Sequence, residues 1–362
     1  MKRIALISSV ALATLLVVTN AFPCTTFVLQ GDGRIYFGRN LDWNWENGLV
    51  IINQRNIKKT AVAMPGNAPA QWTSKYGSVT FNQFGQEMPY GGMNEAGLVV
   101  ENMWLDETKY PAPDSRPSIN LLQWIQYQLD NCRTVADVIA TDDKIRLEAP
   151  PVSAKIHYLV CDATGDCASL ECLNGKLICH RGSELPFHAL ANDTYDQSSK
   201  FAKDHPEPGQ GLDKAKNEGS HARFSHAAAR AAKFQPSTPN AEVSYAFDTL
   251  QQVCQGDFTV WRIVYDVTGH QIHYRTRSNP QERTIDLKTL DFSCGHPARF
   301  ADIQANPSAT GNLEFKDLTE DWQRKYLQDF CAQPSLKRKF GDLTPQTEGQ
   351  LKVLRTYKCI DQ

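Results

Sequence analysis

The sequence predicts an α+β fold in which antiparallel sheets and helices form separate layers. Strand-like runs dominate the first half, segments with helical spacing fill much of residues 119–253, and strand-like runs return from residue 258. This order of strands, helices and strands favours a layered α+β fold over alternating βαβ units, which would give a parallel sheet. The chain also lacks a glycine-rich phosphate loop.

The first elements form a predicted hairpin. Residues 25–30 and 35–40 are strand-like and are joined by Gly31-Asp32-Gly33-Arg34, and Asp-Gly between such runs is a strong hairpin signal. Further strand candidates are separated mostly by Gly, Asn or Asp turns. They are residues 49–53, 60–64, 78–84, 98–103, 156–161, 168–173, 176–180, 258–265 and 271–276.

Helical spacing of apolar residues predicts four helices, each preceded by Ser, Thr or Asn at a suitable cap position. They are expected at residues 119–129, 135–140, 221–234 and 241–253. Residues 196–219 are polar and contain Pro206, Pro208 and three glycines. They are predicted to be a long loop, either a connector or a flap over a site.

The end of the chain, residues 314–362, is predicted to be a helical extension appended to a domain at 24–313. From Glu314 onward the sequence is polar, and Trp322, Tyr326, Leu327 and Phe330 share one helical stripe. Such a stripe is typical of a packing face. We therefore expect packing rather than chemistry from this extension.

The composition is that of an ordinary globular protein. The chain has 362 residues, of which 41% are hydrophobic and 22% charged, so it can bury a sizeable core. The formal net charge is -2 and the basic residues are scattered, which gives no electrostatic signature of a nucleic-acid or anionic-membrane partner. A small-molecule partner is expected instead.

The start of the chain has the layout of a secretory signal. Lys2 and Arg3 are followed by an apolar run over residues 4–18 and by the small-residue end Thr19-Asn20-Ala21. The run is shorter than the roughly 20 residues that a spanning helix needs, which disfavours a membrane anchor. We expect a periplasmic or secreted protein without stable membrane association after processing. Residues 1–23 would then be the signal peptide and a short processed segment.

Ten cysteines in an exported chain suggest disulfides. If Cys24 is catalytic, the others cannot all pair within one chain, so at least one is expected to be free or paired between chains. Cys161, Cys167, Cys172 and Cys179 fall in successive strand-like runs, where a cross-strand bridge is plausible. A metal cluster is the alternative, but the sequence contains no CxxC pair.

Cys24 lies just after the export signal, so processing can leave it at the new N-terminus or within two residues of it. A terminal cysteine carries its own base, because the free α-amine titrates near pH 7.7 to 8.0 and can accept the thiol proton. The favoured cleavage site after Ala21 would leave Phe22 and Pro23 to be removed. Lipidation of Cys24 is the alternative, but Pro23 is not the small residue that a lipoprotein signal has at that position.

A second motif, Tyr36-Phe37-Gly38-Arg39-Asn40-Leu41-Asp42-Trp43, follows the hairpin turn. Its strand returns antiparallel to the strand that starts at Cys24, so Arg39 and Asp42 can flank the cysteine. Cys24-Thr25-Thr26 and this motif together resemble the choloylglycine hydrolase family, which contains conjugated bile salt hydrolases and penicillin V acylases. Three later stretches extend the resemblance over about residues 24–280. They are Asn94-Glu95-Ala96-Gly97-Leu98, Leu190-Ala191-Asn192 and Ala222-Arg223-Phe224.

The resemblance implies the four-layer αββα sandwich of N-terminal-nucleophile hydrolases and a catalytic cycle without metal or organic cofactor. Cys24 would attack the amide and form a thioester, with the α-amine moving the proton. Asp42 would orient the α-amine, while Arg39 and Arg223 would favour the thiolate. Asn192 would donate to the oxyanion, a contribution typically worth about 3 to 4 kcal/mol.

One position departs from the family pattern. Family members often carry Asn or Tyr near the end of the strand after the Asn-Glu-x-Gly-Leu turn, where this chain has Trp104, with Asn102 two residues earlier. A backbone N–H near Trp104 is therefore the expected second oxyanion donor. We predict that substrate is bound by Trp43, Asn102 and Trp104. The reason for the two tryptophans is that their wide apolar faces suit an aromatic or long acyl group. The tryptophans would serve equally well in core packing.

The predicted activity is hydrolysis of a small-molecule N-acyl amide such as penicillin V or an N-acyl homoserine lactone. Conjugated bile salts are the alternative substrates, because acyl specificity resides in loops. Two other hypotheses are an acyltransferase, in which an amine resolves the thioester, and a non-catalytic binding protein on the same fold. The resemblance also makes a homo-oligomer reasonable, often a tetramer.

Overall fold

The computed structural model describes residues 24–64, 66–148, 154–205, 219–307 and 313–360. The predicted signal segment, with its cleavage site after Ala21, lies outside these residues. Residues 206–218 of the predicted loop also lie outside the described ranges.

The first sheet has six antiparallel strands. They are β1 (Thr25–Gly31), β2 (Arg34–Asp42), β14 (Ala189–Leu190), β15 (Thr259–Asp266), β16 (Gln271–Thr276) and β17 (Arg283–Asp286). Their order is β14-β1-β2-β15-β16-β17. The predicted hairpin of β1 and β2 is confirmed, and Asp32 and Gly33 in its turn have φ values of 50° and 75°, a left-handed conformation that Asp and Gly tolerate.

The second sheet has nine antiparallel strands. They are β3 (Leu49–Asn53), β6 (Ser78–Asn82), β7 (Pro89–Asn94), β8 (Val99–Trp104), β11 (Ile156–Cys161), β12 (Cys167–Leu173), β13 (Lys176–Arg181), β18 (Arg299–Asp302) and β19 (Lys316–Asp317). Their order is β13-β12-β11-β8-β7-β6-β3-β18-β19. The two sheets face each other, since the Phe81 ring on β6 contacts Trp261 and Tyr265 on β15.

Strand β7 escapes sequence prediction because its central residues are glycines. The fold requires them. A Cβ atom on Gly91 would lie 2.1 Å from Cδ of Glu101 on β8, and a Cβ atom on Gly92 would lie 2.4 Å from the Val79 carbonyl oxygen. Glycine therefore allows close approach of neighbouring strands here, at the cost of the strand propensity that would have revealed β7.

Short strands complete the sheet structure. They are β4 (Ile57–Thr60), β5 (Gln71–Thr73), β9 (Ser118–Asn120), β10 (Arg146–Glu148) and β20 (Lys358–Cys359). β20, β4 and β5 form one small antiparallel sheet, and β9 and β10 form a parallel pair. The strand predicted at 60–64 is misplaced, because β4 ends at Thr60.

The described residues contain eight α-helices. They are α1 (Leu121–Asn131), α2 (Val135–Ile139), α3 (Tyr195–Asp204), α4 (Gly219–Ala232), α5 (Pro239–Gln252), α6 (Glu320–Cys331), α7 (Pro334–Phe340) and α8 (Thr344–Leu354). α4 and α5 pack on the first sheet, and α1 packs on β7 and β8 of the second. The four-layer αββα arrangement predicted from the resemblance is confirmed.

Helix α3 corrects the predicted loop at 196–219. Residues 195–204 are helical because the Thr194 hydroxyl accepts a hydrogen bond from the Gln197 N–H and so caps the first turn. Tyr195 and Ala202 are buried, which gives the helix an apolar face despite its polar composition.

Residues 313–360, here called the C-terminal segment, fold back over the sandwich. Phe330 of α6 packs edge-to-face on Phe84, with ring centroids 5.0 Å apart. The Gln350 side chain of α8 donates hydrogen bonds of 2.9 and 2.7 Å to the Phe84 and Gln86 carbonyls. At its end, β20 pairs with β4, and the Cys359 and Cys294 sulfurs lie within disulfide-bonding contact. Cys161 on β11 and Cys167 on β12 lie opposite each other, and their sulfurs are also within disulfide-bonding contact.

Candidate active site

Cys24 lies directly before β1 and is buried. Its backbone N–H donates a hydrogen bond of 2.8 Å to Oδ1 of Asn192, which follows β14. In the full-length chain this nitrogen belongs to a peptide bond; it would stand for the α-amine if processing removed residues 1–23. The amide of Asn192 therefore fixes the nitrogen that the predicted mechanism uses as a base.

Arg223, on α4, connects the nucleophile to Asn192. Its Nη1 donates to the Cys24 carbonyl at 2.8 Å and to Thr25 Oγ1 at 2.7 Å, and its Nη2 donates to Asn192 Oδ1 at 2.8 Å. The side chain is almost fully buried. Arg223, on a helix of the outer layer, thus links the start of β1 to Asn192 after β14.

Asp42, the last residue of β2, lies beside Cys24 because the hairpin register pairs Thr25 with Asn40. Its Oδ1 accepts a hydrogen bond from the Thr259 hydroxyl, whereas Oδ2 has no hydrogen-bond partner among the described residues. Burial raises the pKa of the Asp42 carboxyl to about 6, although Arg223 and Arg39 oppose this shift. The carboxyl therefore has one oxygen available to a group at the Cys24 nitrogen.

Arg39 pairs with Thr26 across the hairpin and reaches between the two sheets. Its Nε lies 3.1 Å from Glu101 Oε2, and Glu101 Oε1 accepts a hydrogen bond of 2.5 Å from the Tyr265 hydroxyl. Within the described part of the chain, Nη1 and Nη2 have no hydrogen-bond partner, and the side chain lines the same cavity as Cys24. Burial raises the pKa of Glu101 to about 7. Sequence reasoning missed Glu101, for which Gly91 makes room.

The surrounding charges act on the Cys24 thiol in opposite directions. Burial raises the pKa of Cys24 and is the largest effect, and the negative charge of Asp42 adds to it. The positive charges of Arg39 and Arg223 lower the pKa, as does a hydrogen bond from the Asp42 backbone N–H. In the full-length chain burial prevails, so the thiol form is favoured until a base takes its proton.

The three predicted substrate-binding residues line the cavity over Cys24. The Asn102 side chain donates a hydrogen bond of 2.6 Å to the Tyr90 carbonyl. The carbonyl of Trp104 accepts one of 2.9 Å from Asn192 Nδ2. Trp43 stacks on Phe340, with ring centroids 6.5 Å apart. The second oxyanion donor was expected to be a backbone N–H near Trp104. The N–H of the next residue, Leu105, donates to the Lys155 carbonyl.

Tyr90, on β7, is a cavity residue that sequence reasoning missed. Its hydroxyl is buried and has no hydrogen-bond partner among the described residues, and its side chain lines the same cavity as Cys24. Burial raises the pKa of Tyr90, and the negative charge of a thiolate at Cys24 adds to this shift. The strand that carries it has no recognisable pattern, so only the fold brings this hydroxyl to the nucleophile.

A cavity of about 550 Å³ extends from Cys24 to the C-terminal segment. Its walls are mainly apolar and include Leu41, Val62, Met64, Phe84, Met88 and Ile156. Phe340, Leu343 and Pro345 of the C-terminal segment form part of the same lining. The described residues contain no group of three or more His, Cys, Asp or Glu side chains that could hold a metal ion. They also contain no helix long and apolar enough to cross a membrane.

Comparison with known proteins agrees with this geometry. The family described as linear amide C–N hydrolases, choloylglycine hydrolase family, matches residues 24–300. A penicillin V acylase from Pectobacterium atrosepticum is 27% identical over 334 residues, covering 80% of this chain and 87% of that protein. The structure of a penicillin V acylase from Agrobacterium tumefaciens superposes with a TM-score of 0.69 at 26% identity, covering 82% of this chain and 99% of that one. A conjugated bile acid hydrolase variant from Clostridium perfringens shares the fold, with a TM-score of 0.63 at 18% identity over 82% of this chain and all of that one.

Proposed function

Because the chain belongs to the choloylglycine hydrolase family of linear amide C–N hydrolases, we propose that it is an exported cysteine amidase for small-molecule N-acyl amides. Penicillin V and N-acyl homoserine lactones represent the proposed substrate class. The observation that carries the proposal is Cys24 itself, buried at one end of an apolar cavity with its nitrogen held by Asn192. An uncharged acyl group fits that cavity, and the scissile amide would lie at the cysteine.

The first half of the reaction forms an acyl-enzyme. Processing converts the Cys24 nitrogen to an α-amine, which takes the thiol proton as Sγ bonds to the amide carbonyl carbon. The C–N bond then breaks as the α-ammonium passes this proton to the leaving amine, and a thioester remains. The Asp42 oxygen without a partner suits a hydrogen bond from the α-amine, and Arg39 and Arg223 supply positive charge that lowers the thiol pKa.

The second half hydrolyses the thioester. Water attacks the carbonyl carbon and gives a proton to the α-amine, and the C–S bond breaks as that proton returns to sulfur. Both halves pass through an oxyanion. The side-chain amide of Asn192, which lies next to the Cys24 nitrogen and is held by Arg223, is the proposed first donor to it. The Tyr90 hydroxyl is a suitable second donor because it is buried beside Cys24.

Penicillin V-like substrates are preferred here over conjugated bile salts on the basis of similarity. The two penicillin V acylases are 26% and 27% identical to this chain, whereas the bile acid hydrolase is 18% identical. Acyltransfer to an amine and a non-catalytic binding role remain the competing hypotheses. A homo-oligomer stays a prediction.

Export is part of the proposal. We propose that the mature protein is periplasmic or secreted and begins at Cys24, and that it carries the bonds Cys161–Cys167 and Cys294–Cys359. The contact between the sulfurs of each pair supports this, because stable disulfides belong to oxidising compartments. The other cysteines in the described ranges, including Cys24, are reduced.

Intact mass, N-terminal sequencing and thiol alkylation of the secreted protein test the proposal. The wild type should begin at an alkylatable Cys24 and release free amine from penicillin V or an N-acyl homoserine lactone. Cys24→Ala should abolish release. Cys254→Ala, which replaces another buried reduced cysteine away from the cavity, should keep it.

Three results would contradict the proposal. A blocked or internal Cys24, or full activity in Cys24→Ala, would exclude this cysteine as nucleophile. Faster turnover of glycocholate than of penicillin V would favour the bile salt alternative. A new amide formed in the presence of an added amine acceptor, at the expense of free acid, would identify an acyltransferase.

A further inference from the structure

We propose that the C-terminal segment forms the specificity-determining wall of the acyl site, with Phe340 and Leu343 setting the length of acyl group that fits. The inference rests on the proposed amidase function and extends it to substrate selection. The segment lies beyond the family match, which ends at residue 300. Its contribution to the cavity is therefore a feature of this chain that the shared domain does not supply.

The position of the segment in the cavity is the first argument. Seven of its residues line the same cavity as Cys24. They are Phe340, Leu343, Pro345, Gln346, Thr347, Gly349 and Gln350. The Phe340 ring stacks on Trp43, one residue beyond Asp42 on the chain, so the wall extends to the immediate neighbours of the catalytic residues. Leu343 is buried against the shared domain.

The second argument is that the wall is fixed at several points. Gln350 binds the Phe84 and Gln86 carbonyls, and the Gln323 side chain accepts a hydrogen bond of 2.9 Å from the Gln86 N–H. Beyond α8, the Tyr357 hydroxyl donates to the Thr60 carbonyl, and β20 joins the small sheet of β4 and β5. A segment held before and after its cavity-lining residues presents a defined surface to substrate.

Lys339 provides a third contact, with the two tryptophans predicted to bind substrate. Its Nζ lies 4.1 Å from the centroid of the Trp104 ring and 5.9 Å from that of Trp43. Both distances are within the range of a cation–π interaction. The segment therefore contacts the ring of Trp104, and the carbonyl of Trp104 accepts a hydrogen bond from Asn192. Through Lys339 it contacts the site at the two tryptophan rings.

The chemistry of the wall determines the class of acyl group. Among the described lining residues the charged side chains are Arg39, beside Cys24, and Glu148. Glu148 is already engaged, since its carboxylate accepts hydrogen bonds from the Met64 N–H and the Asn67 side chain. The rest of the described lining is mainly apolar and otherwise uncharged. An uncharged aromatic or medium-length alkyl group fits, and a longer one would meet the wall.

A chain-length series tests the inference. The substrates are straight-chain N-acyl amides of a single amine, from butanoyl to dodecanoyl, and the readout is kcat/KM for each in the mature enzyme. Phe340→Ala and Leu343→Ala should move the optimum to longer chains and raise the long-to-short ratio at least about tenfold, because one methylene in an apolar pocket changes kcat/KM by roughly 10- to 200-fold. Leu343→Phe should shift the optimum to shorter chains.

Trp322→Ala is the matched control, since it removes an aromatic side chain of the same segment that is partly exposed and does not line the cavity. It should leave the profile unchanged. An unchanged ratio in all three wall variants, with wild-type activity on the series, would overturn the inference while keeping the amidase function. A uniform rise on every chain length in the alanine variants would also overturn it. Failure of the wild type on the whole series and on penicillin V would instead reject the proposed function.

Discussion

The two ends of the cavity differ in composition and origin. At the inner end, Cys24 and Arg39 line the cavity and Asp42 and Arg223 lie beside Cys24; all four are buried ionisable groups of the shared domain. At the outer end, Phe340 and its neighbours are mainly apolar and come from a segment beyond the family match. The difference teaches that the reaction and the choice of substrate are built from separate parts of this chain, which mutation can address separately.

The largest effect is expected at the inner end, from Tyr90→Phe. This change removes one buried hydroxyl and keeps the ring, which contacts Trp43, Phe84 and Trp261. If the hydroxyl donates to the oxyanion, kcat should fall about 100- to 1,000-fold with little change in KM, because loss of one such donor costs about 2.7 to 4 kcal/mol in the transition state. Steady-state kinetics on penicillin V measures this.

Tyr274→Phe is the control for that variant. Tyr274 also has a buried hydroxyl without a hydrogen-bond partner in the described ranges, but it lies in the core against Phe81 and does not line the cavity. It should leave kcat unchanged. An unchanged kcat in Tyr90→Phe would return the role to a backbone N–H near Trp104.

A smaller effect follows from the titration of Asp42. Because burial raises the pKa of this carboxyl to about 6, it becomes neutral as the pH falls through that value and can no longer hold the protonated α-amine. We expect kcat/KM to fall about tenfold per pH unit on the acid side, with the midpoint at or below about pH 6. The midpoint would lie lower if the new α-ammonium stabilises the carboxylate.

The pH profile of kcat/KM measures this limb. Asp42→Asn should have low activity, and its pH profile of kcat/KM should lack the acid limb. Asp266→Asn should keep it, because Asp266, whose pKa burial also raises, lies at the far end of β15 and does not line the cavity. An acid limb centred above pH 7, or one that survives in Asp42→Asn, would assign it to another group, first of all to the α-amine, which must be neutral to take the thiol proton.

The sequence predicts some parts of the molecule and not others. Local patterns predict the elements next to Cys24 in the chain, whereas contacts between distant segments leave no such pattern. The hairpin of β1 and β2 was predictable from Asp32-Gly33 and from the strand-like runs on either side, and its register brings Arg39 and Asp42 to Cys24 without further information. Asn192 and Arg223 are distant in sequence, so only resemblance to a family indicated them. The structure brings both within hydrogen-bond distance of Cys24.

Residues that depend on tertiary packing were not predictable. Tyr90 lies on a strand whose two glycines are required by Glu101 and by the Val79 carbonyl, and no local pattern reports such contacts. Helix α3 depends on one cap and two buried side chains in a polar stretch. The stripe of α6 correctly indicated packing, but α7 and the turn after it enter the cavity through Phe340 and Leu343, which carry no signal of their own.

The smallest effect on catalysis, and the clearest on stability, is expected from Cys359→Ser at the outer end. The proposed bond to Cys294 closes a loop of 65 residues that contains the whole wall, so its loss should reduce the free energy of unfolding by about 2 to 4 kcal/mol. Neither cysteine lines the cavity, and Gln350 and Tyr357 still hold the wall, so kcat on short-chain substrates should change less than about twofold. Thermal unfolding with and without reductant measures the first effect, and wild type and variant should unfold alike once both are reduced, because reductant also opens the proposed Cys161–Cys167 bond. Cys179→Ser, at a reduced and half-buried cysteine, should leave the melting temperature unchanged. If reductant does not lower the melting temperature of the wild type, the bond does not form and the other contacts alone hold the wall.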